Sequence, residues 1–176
     1  MKTKLIPLFS LLLLVACGSS SNQEPTATTT IMQPAAALPT QAEAAFNADS
    51  AYAYVANQVA FGPRVPNTKA HKQCGDYLAA ELVRFGAKVY QQEASLTAYD
   101  GTRLEARNLI GSFNPEQTRR VLLFAHWDCR PYSDHDPDAA NHHKPVDGAD
   151  DGASGVGVLL EIARQLGQKA PQVGVD

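Results

Sequence analysis

Arg119-Arg120-Val121-Leu122-Leu123-Phe124-Ala125-His126-Trp127-Asp128 is the stretch on which the fold turns. Its middle is short, continuously apolar and rich in strand formers, which suits a central strand buried on both faces of a sheet. His126 then falls at the carboxyl end of that strand. Ligands bind at this edge in open α/β sheets, and residues 126 and 128, two apart on extended backbone, point to the same side. An imidazole there can hold a metal ion while a carboxylate takes its second ring nitrogen and fixes tautomer and ring angle. A strand-end histidine bonded to an aspartate for structure alone has the same spelling.

Downstream lies Asp147-Gly148-Ala149-Asp150-Asp151-Gly152-Ala153-Ser154-Gly155, and from Ser154 an amphipathic pattern of Val156, Leu159, Leu160, Ala163 and Leu166, with Gly167 as a stop. Asp151 just before the helix can be an ordinary N-cap, accepting orphan backbone N–H bonds. Capping accounts for one aspartate. It leaves unexplained the adjacent Asp150 and the glycines at 148, 152, 155 and 157, which describe a backbone that turns tightly and admits a close approach.

The loop between the two segments carries Asp134, Asp136 and Asp138 at alternate positions. An EF-hand would need glycine where Ala139 stands and glutamate where Pro145 stands, so an EF-hand is excluded. His142-His143 are adjacent in a polar loop and are expected to be solvated.

Working upstream, Asn114-Pro115 turns the chain into the central strand. Lys88–Tyr99 and Thr102–Phe113 are predicted strands joined at Asp100-Gly101, a favoured hairpin turn. A helix is predicted from about Thr68 to Phe85, with Cys74, Tyr77, Leu78, Leu82 and Phe85 inward and Gly86 as its stop. An earlier helix carries Tyr52, Val55, Ala56 and Val59, is capped by Asp49 or Ser50, and ends before Gly62-Pro63. Val173-Gly174-Val175 begins a further strand. The fold class expected is α/β, a three-layer mixed β-sheet with helices on both faces.

Before Asn47 the composition changes. Lys2 and Lys4 precede an apolar run from Leu5 to Ala16 that is too short to span a bilayer, the pattern of a secretory signal. Leu14-Val15-Ala16-Cys17 resembles the bacterial lipobox, which makes Cys17 the lipidated first mature residue; Gly18 after it implies the outer membrane of a Gram-negative cell. Residues 17–46, rich in Ser, Thr, Ala, Gln and Pro, cannot bury enough surface to offset chain entropy and are read as a tether. Three regions follow: 1–16 signal, 17–46 tether, 47–176 globular. The only membrane contact expected is the lipid.

A net charge of −3 with no basic stripe argues against nucleic acid as a partner. With Cys17 assigned to lipid, Cys74 and Cys129 either pair in an oxidising compartment or stay apart as buried small hydrophobes.

These motifs together resemble the zinc-dependent aminopeptidase superfamily with its glutaminyl-peptide cyclotransferases. There, a His-x-Asp after a central strand is followed by a Gly-x-(Asn/Asp/Thr)-Asp segment leading into a helix. Cys129-Arg130-Pro131-Tyr132, the Asp136-Pro137-Asp138 and Asn141-His142 steps, Phe61-Gly62-Pro63-Arg64-Val65-Pro66 and Gly75-Asp76-Tyr77-Leu78 resemble the bacterial glutaminyl cyclase group. Cys129 stands where threonine or serine is common, and Asp150 where asparagine is.

The resemblance implies a zinc-exopeptidase-like fold, with zinc as cofactor and Asp151 as a zinc ligand. His126 is a ligand of a second zinc in the two-metal branch, and Asp128 orients it. The activity implied is conversion of an N-terminal glutaminyl peptide to pyroglutamyl peptide and ammonia, with acidic loop residues favouring the substrate's cationic amino terminus. The alternatives are a two-zinc aminopeptidase and a non-catalytic surface lipoprotein. In the family a glutamate pair and a further histidine lie beyond the next strand, and Glu161, several turns along its helix, replaces none of them. The chain is therefore expected to be truncated and inactive by itself.

Overall fold

The computed structural model describes residues 46–176; the signal segment, Cys17 and the tether up to residue 45 lie outside the described residues. In order the elements are α1 (Ala48–Val59), α2 (Lys69–Arg84), β1 (Lys88–Thr97), β2 (Arg103–Ser112), β3 (Arg120–Val121), a 3-10 turn (Ala139–Asn141), a wide helical turn (Ala149–Ser154), α3 (Gly155–Gln168) and β4 (Gly174–Val175).

The α1 helix is capped by Asn47, whose side-chain oxygen accepts the Ser50 N–H at 2.8 Å, slightly before the expected Asp49 or Ser50. Its inner stripe is Ala51, Tyr54 and Gln58, and Tyr52, part of the apolar spacing that predicts the helix, is 76% exposed. The shift follows from helix contact: α1 packs along α3, where Gly157 leaves room only for the Ala51 carbonyl and Val55. The α2 helix starts at a Thr68 cap and stops at Gly86 with φ +87°, a left-handed value that favours glycine. Cys74, Leu78 and Phe85 are buried on its inner face, and Tyr77 and Leu82 pack against them.

β1 and β2 pair antiparallel from Lys88↔Ser112 to Thr97↔Arg103. The Ala98 N–H donates to the Thr102 carbonyl at 2.8 Å, so the loop is Tyr99-Asp100-Gly101 with Gly101 left-handed at φ +86°, a three-residue hairpin rather than a two-residue one.

The central strand departs most from expectation. Only Arg120–Val121 is laddered, parallel to Gly174–Val175, and Leu122 and Phe124 are 68% and 84% exposed instead of buried on both faces. β4 supplies two paired residues and the Asp176 carbonyl, which accepts the Leu123 N–H at 2.9 Å. Beyond that point the strand has no ladder partner among the described residues. Arg120 ties this edge together, its guanidinium reaching both Asp176 carboxylate oxygens at 2.6 Å and the Ser112 hydroxyl at 2.7 Å.

The core is Tyr54, Cys74, Leu78, Phe85, Phe113, Trp127, Val156, Leu160, Ala163 and Val175. Gly167, expected as the stop of α3, lies inside the helix, which runs to Gln168. A Cβ there would collide with the Phe85 carbonyl, so this glycine lets α3 close onto the end of α2. The architecture is mixed α/β, with strands in two small sheets.

Candidate functional site

Alternation along the extended segment after β3 sorts the three residues of the His-x-Asp motif. Trp127 turns inward, 9% exposed, and its ring stacks on His71 at 4.0 Å and 16° while its indole N–H donates to the Arg107 carbonyl at 3.2 Å. With Trp127 anchored, His126 and Asp128 face outward, their side chains about half exposed. The His126 Nδ1 is 3.4 Å from the Asp128 Oδ1, and its Nε2 is 2.8 Å from the Asp151 Oδ1. One imidazole thus lies between two carboxylates.

Local backbone brings Asp151 to that place. Gly148 takes a left-handed φ of +64°, and Asp151 leaves helical geometry at φ −95°, ψ 91°, so the chain swings across the strand end before α3 begins. Gly152 then passes against His126: an added Cβ would collide with the His126 carbonyl oxygen and lie 2.7 Å from its ring. Asp151 is not a helix cap, because α3 starts after Ser154 with no side-chain capping bond and the Asp151 carboxylate is turned to His126. Asp150 is exposed, and its carbonyl accepts the Ser154 hydroxyl at 2.6 Å. On the other side Gln58, fully buried on α1, donates to the Ala153 carbonyl at 3.1 Å and holds the end of the turn.

The remaining candidates are used within their own loop. Arg130 pairs with Asp134, the Asp136 carboxylate accepts the Asp138 N–H at 2.8 Å, and Asp138 accepts the Ala140 N–H at 3.0 Å. His142, expected in solvent, is half-buried with its Nε2 2.8 Å from the Asp136 carbonyl, whereas His143 is exposed. Cys74 and Cys129 are free buried thiols. Burial pushes the Cys74 thiol up to about 11 and the Cys129 thiol also upward, so neither is poised as a nucleophile. Burial likewise holds His71 below the usual imidazole value, the Asp128 charge opposing the shift. Glu161 is fully buried, bound by Arg164 at 2.7 Å, by Gln165 at 2.9 Å and by the Asn47 N–H at 3.0 Å. These partners make it a structural carboxylate midway along α3. Beside the site, an apolar cavity of about 620 Å³ runs between Leu109, Phe113, Leu122, Phe124 and Leu160 up to His126 and Asp128.

Among the described residues, no group of three His, Cys, Asp or Glu side chains is assembled for a metal ion. His126 and Asp151 make two donors of the kinds zinc takes. Two donors at about 2.0–2.1 Å from one tetrahedral ion stand roughly 3.3 Å apart. The observed 2.8 Å is a hydrogen bond, and opening it by about half an ångström would fit an ion between the pair. The donor chemistry therefore fits half of a zinc site.

The motifs point to His126, Asp128 and Asp151, and the structure brings all three together. Sequence patterns miss His71, which supports Trp127, and Gln58 and Arg64, which support the loop. Arg64 is legible only as part of a motif, because most of its contacts are distant in sequence.

Residues 108–176 match the sequence model described as Peptidase family M28. The chain superposes on a Zn-dependent exopeptidase from Parabacteroides distasonis with a TM-score of 0.73 and 82% identity, over 74% of this chain and 44% of that one. It superposes equally on Tannerella forsythia glutaminyl cyclase, with a TM-score of 0.73 and 72% identity over 74% of this chain and 45% of that one. Among curated proteins, the uncharacterized protein YfbL of Escherichia coli K12 is 32% identical over 101 residues, which is 57% of this chain and 28% of YfbL. The chain thus spans less than half the length of these relatives.

Proposed function

From a chain that is peptidase family M28 in sequence over residues 108–176 and similar in fold to zinc-exopeptidase-like glutaminyl cyclases, we infer a role in zinc-dependent glutaminyl-peptide cyclotransfer. The substrate is a peptide with N-terminal glutamine. Its α-amine displaces ammonia from its own side-chain amide and leaves a pyroglutamyl peptide. The observation that carries this reading is the Asp151 carboxylate lying against His126 at the strand end rather than capping α3.

In this reading Asp151 is a zinc ligand, His126 lies beside it, and Asp128 sets the ring angle of His126 from the opposite nitrogen. The ion supplies Lewis acidity toward the side-chain amide carbonyl. Trp127, stacked on His71, anchors the strand end, so His126 and Asp128 on either side of it face outward. Ammonia release from Gln-peptides, measured on full-length protein against free amino acid release from Leu-peptides, tests the assignment. Cleavage without ammonia would overturn it.

That second outcome is the aminopeptidase reading, which the carboxylates facing both nitrogens of His126 also favour. There, His126 and Asp151 serve two zinc ions and a water attacks the first peptide bond.

We further propose that the protein is exported and anchored through Cys17, on the strength of the lipobox-like sequence. Labelling with radioactive palmitate that disappears in Cys17→Ala supports the anchor, and label retained in that variant overturns it.

A further inference from the structure

Arg64 is wholly buried, yet none of its hydrogen bonds goes to a carboxylate. Its Nε donates to the Trp127 carbonyl at 3.2 Å, Nη1 to the carbonyls of Asp147 at 2.8 Å and Gly62 at 3.4 Å, and Nη2 to the Gly148 carbonyl at 2.7 Å. Four main-chain oxygens from three segments meet one planar cation. The Arg64 carbonyl in turn accepts the Cys129 N–H at 3.1 Å, so the backbone of this residue is stitched to the same strand end.

The positions of those oxygens matter. Trp127 lies between His126 and Asp128, while Asp147 and Gly148 open the turn that delivers Asp151. Gly148 has no room for a side chain: a Cβ would lie 2.5 Å from the Asp151 carbonyl, 2.5 Å from the Cys129 thiol and 2.9 Å from Arg64 Nη2. The guanidinium, the strand end and the Asp151 backbone thus converge on one glycine.

We propose that Arg64 is a positioning residue for the His126–Asp151 pair, a buried guanidinium fork that fixes the spacing between the segments bearing them. Burying a cation is costly unless its hydrogen bonds are satisfied, and apolar packing would stabilise the fold at least as well. A rigid fork does what apolar packing cannot, since it specifies direction and distance toward two backbones at once. Lysine keeps the charge and has three N–H donors, but they radiate from a single nitrogen, which cannot reach the acceptors that the three guanidinium nitrogens now hold.

The inference rests on the proposed zinc site for its purpose, and its test separates the two. Full-length protein is prepared metal-free as wild type, Arg64→Lys and, for comparison, Leu160→Ala, which weakens the core on α3. Amide hydrogen exchange is followed in residues 126–129 and 147–153, and zinc alone is then titrated. The expected result for Arg64→Lys is exchange at least tenfold faster in those two segments with α1 and α2 little changed, and zinc affinity lower by about tenfold or more. Leu160→Ala should quicken exchange broadly with no local excess.

An Arg64→Lys pattern like that of Leu160→Ala, or unchanged zinc affinity with both segments still protected, overturns the clamp. Wild type that takes up no zinc overturns the functional reading, while exchange still judges the clamp. Should the variant not fold, nitrogen-15 spectra of the wild type decide: resolved, slowly exchanging Arg64 Nη–H signals support the fork, and one averaged, fast-exchanging signal overturns it.

Discussion

The Asp151 Oδ1 stands 2.8 Å from the His126 Nε2, although the two residues come from segments joined by a long loop. Neither carboxylate nor imidazole is buried, so the pair gains little as a surface ion pair and its closeness reflects the backbone that presents it. Asp151→Asn keeps the shape and can still bond the ring, but it is a much poorer zinc ligand. In full-length protein the expected result is zinc content falling well below one equivalent and turnover falling with it, with the melting temperature of the metal-free form within a few degrees of wild type. Zinc content is read by atomic absorption after dialysis; full retention of metal and activity would falsify the ligand assignment.

Gly152 is the place where this presentation is most easily broken. Gly152→Ala puts a methyl group into the His126 carbonyl and ring, and the segment must move away from the strand end. A cost of about 1–3 kcal/mol is expected, as for other overpacked sites. Urea unfolding measures it, and a His126 ring resonance shifted from its wild-type position shows that the loss is local to the pair.

Trp127 links the outward residues to the core through its stack on His71. Trp127→Ala removes a large buried ring and is expected to cost about 3–5 kcal/mol. Trp127→Phe should recover part of that stability and leave the Arg107 carbonyl without its indole partner. Equal midpoints for the alanine and wild-type proteins in chemical denaturation would rule out this anchoring role.

Acid should weaken the fold in two steps. His71 has a folded value below 6.5 because burial disfavours its charged form, so the unfolded chain binds its proton first. Its contribution is complete above about pH 6.5 and is lost as pH falls through that value toward the folded one. Glu161, held to about 2 by Arg164, with help from Gln165 and the Asn47 N–H against burial, contributes fully above 4.5 and loses that contribution as pH falls from 4.5 to about 2. Melting temperature against pH checks both: His71→Phe should flatten the upper step and Glu161→Gln the lower one.

The helices, the hairpin and the chemistry at the strand end are legible residue by residue along the chain. The Thr68 helix cap, the left-handed glycines at 86 and 101 and the hairpin between them are decided within a few residues, by backbone geometry that acts locally. His126, Asp128 and Asp151 are readable as a group because a strand-end motif and a glycine-rich turn both carry residue types that bind metals, a pairing that helix capping or a structural hydrogen bond accounts for only in part. How those segments meet belongs to the packed domain instead. The inward face of α1 falls on Ala51 because α3 lies against it, and Gly167 serves helix packing rather than helix termination. The strand at 121–125 is laddered only as far as β4 reaches, since a buried strand needs neighbours that its own residues cannot supply. Arg64 and Gln58 carry no local signal of their task, because the carbonyls they hold at 127, 147, 148 and 153 are brought near only when the chain has folded. Hydrogen-bond partners distant in sequence are set by the packing of the whole domain, and no periodicity or spacing records them.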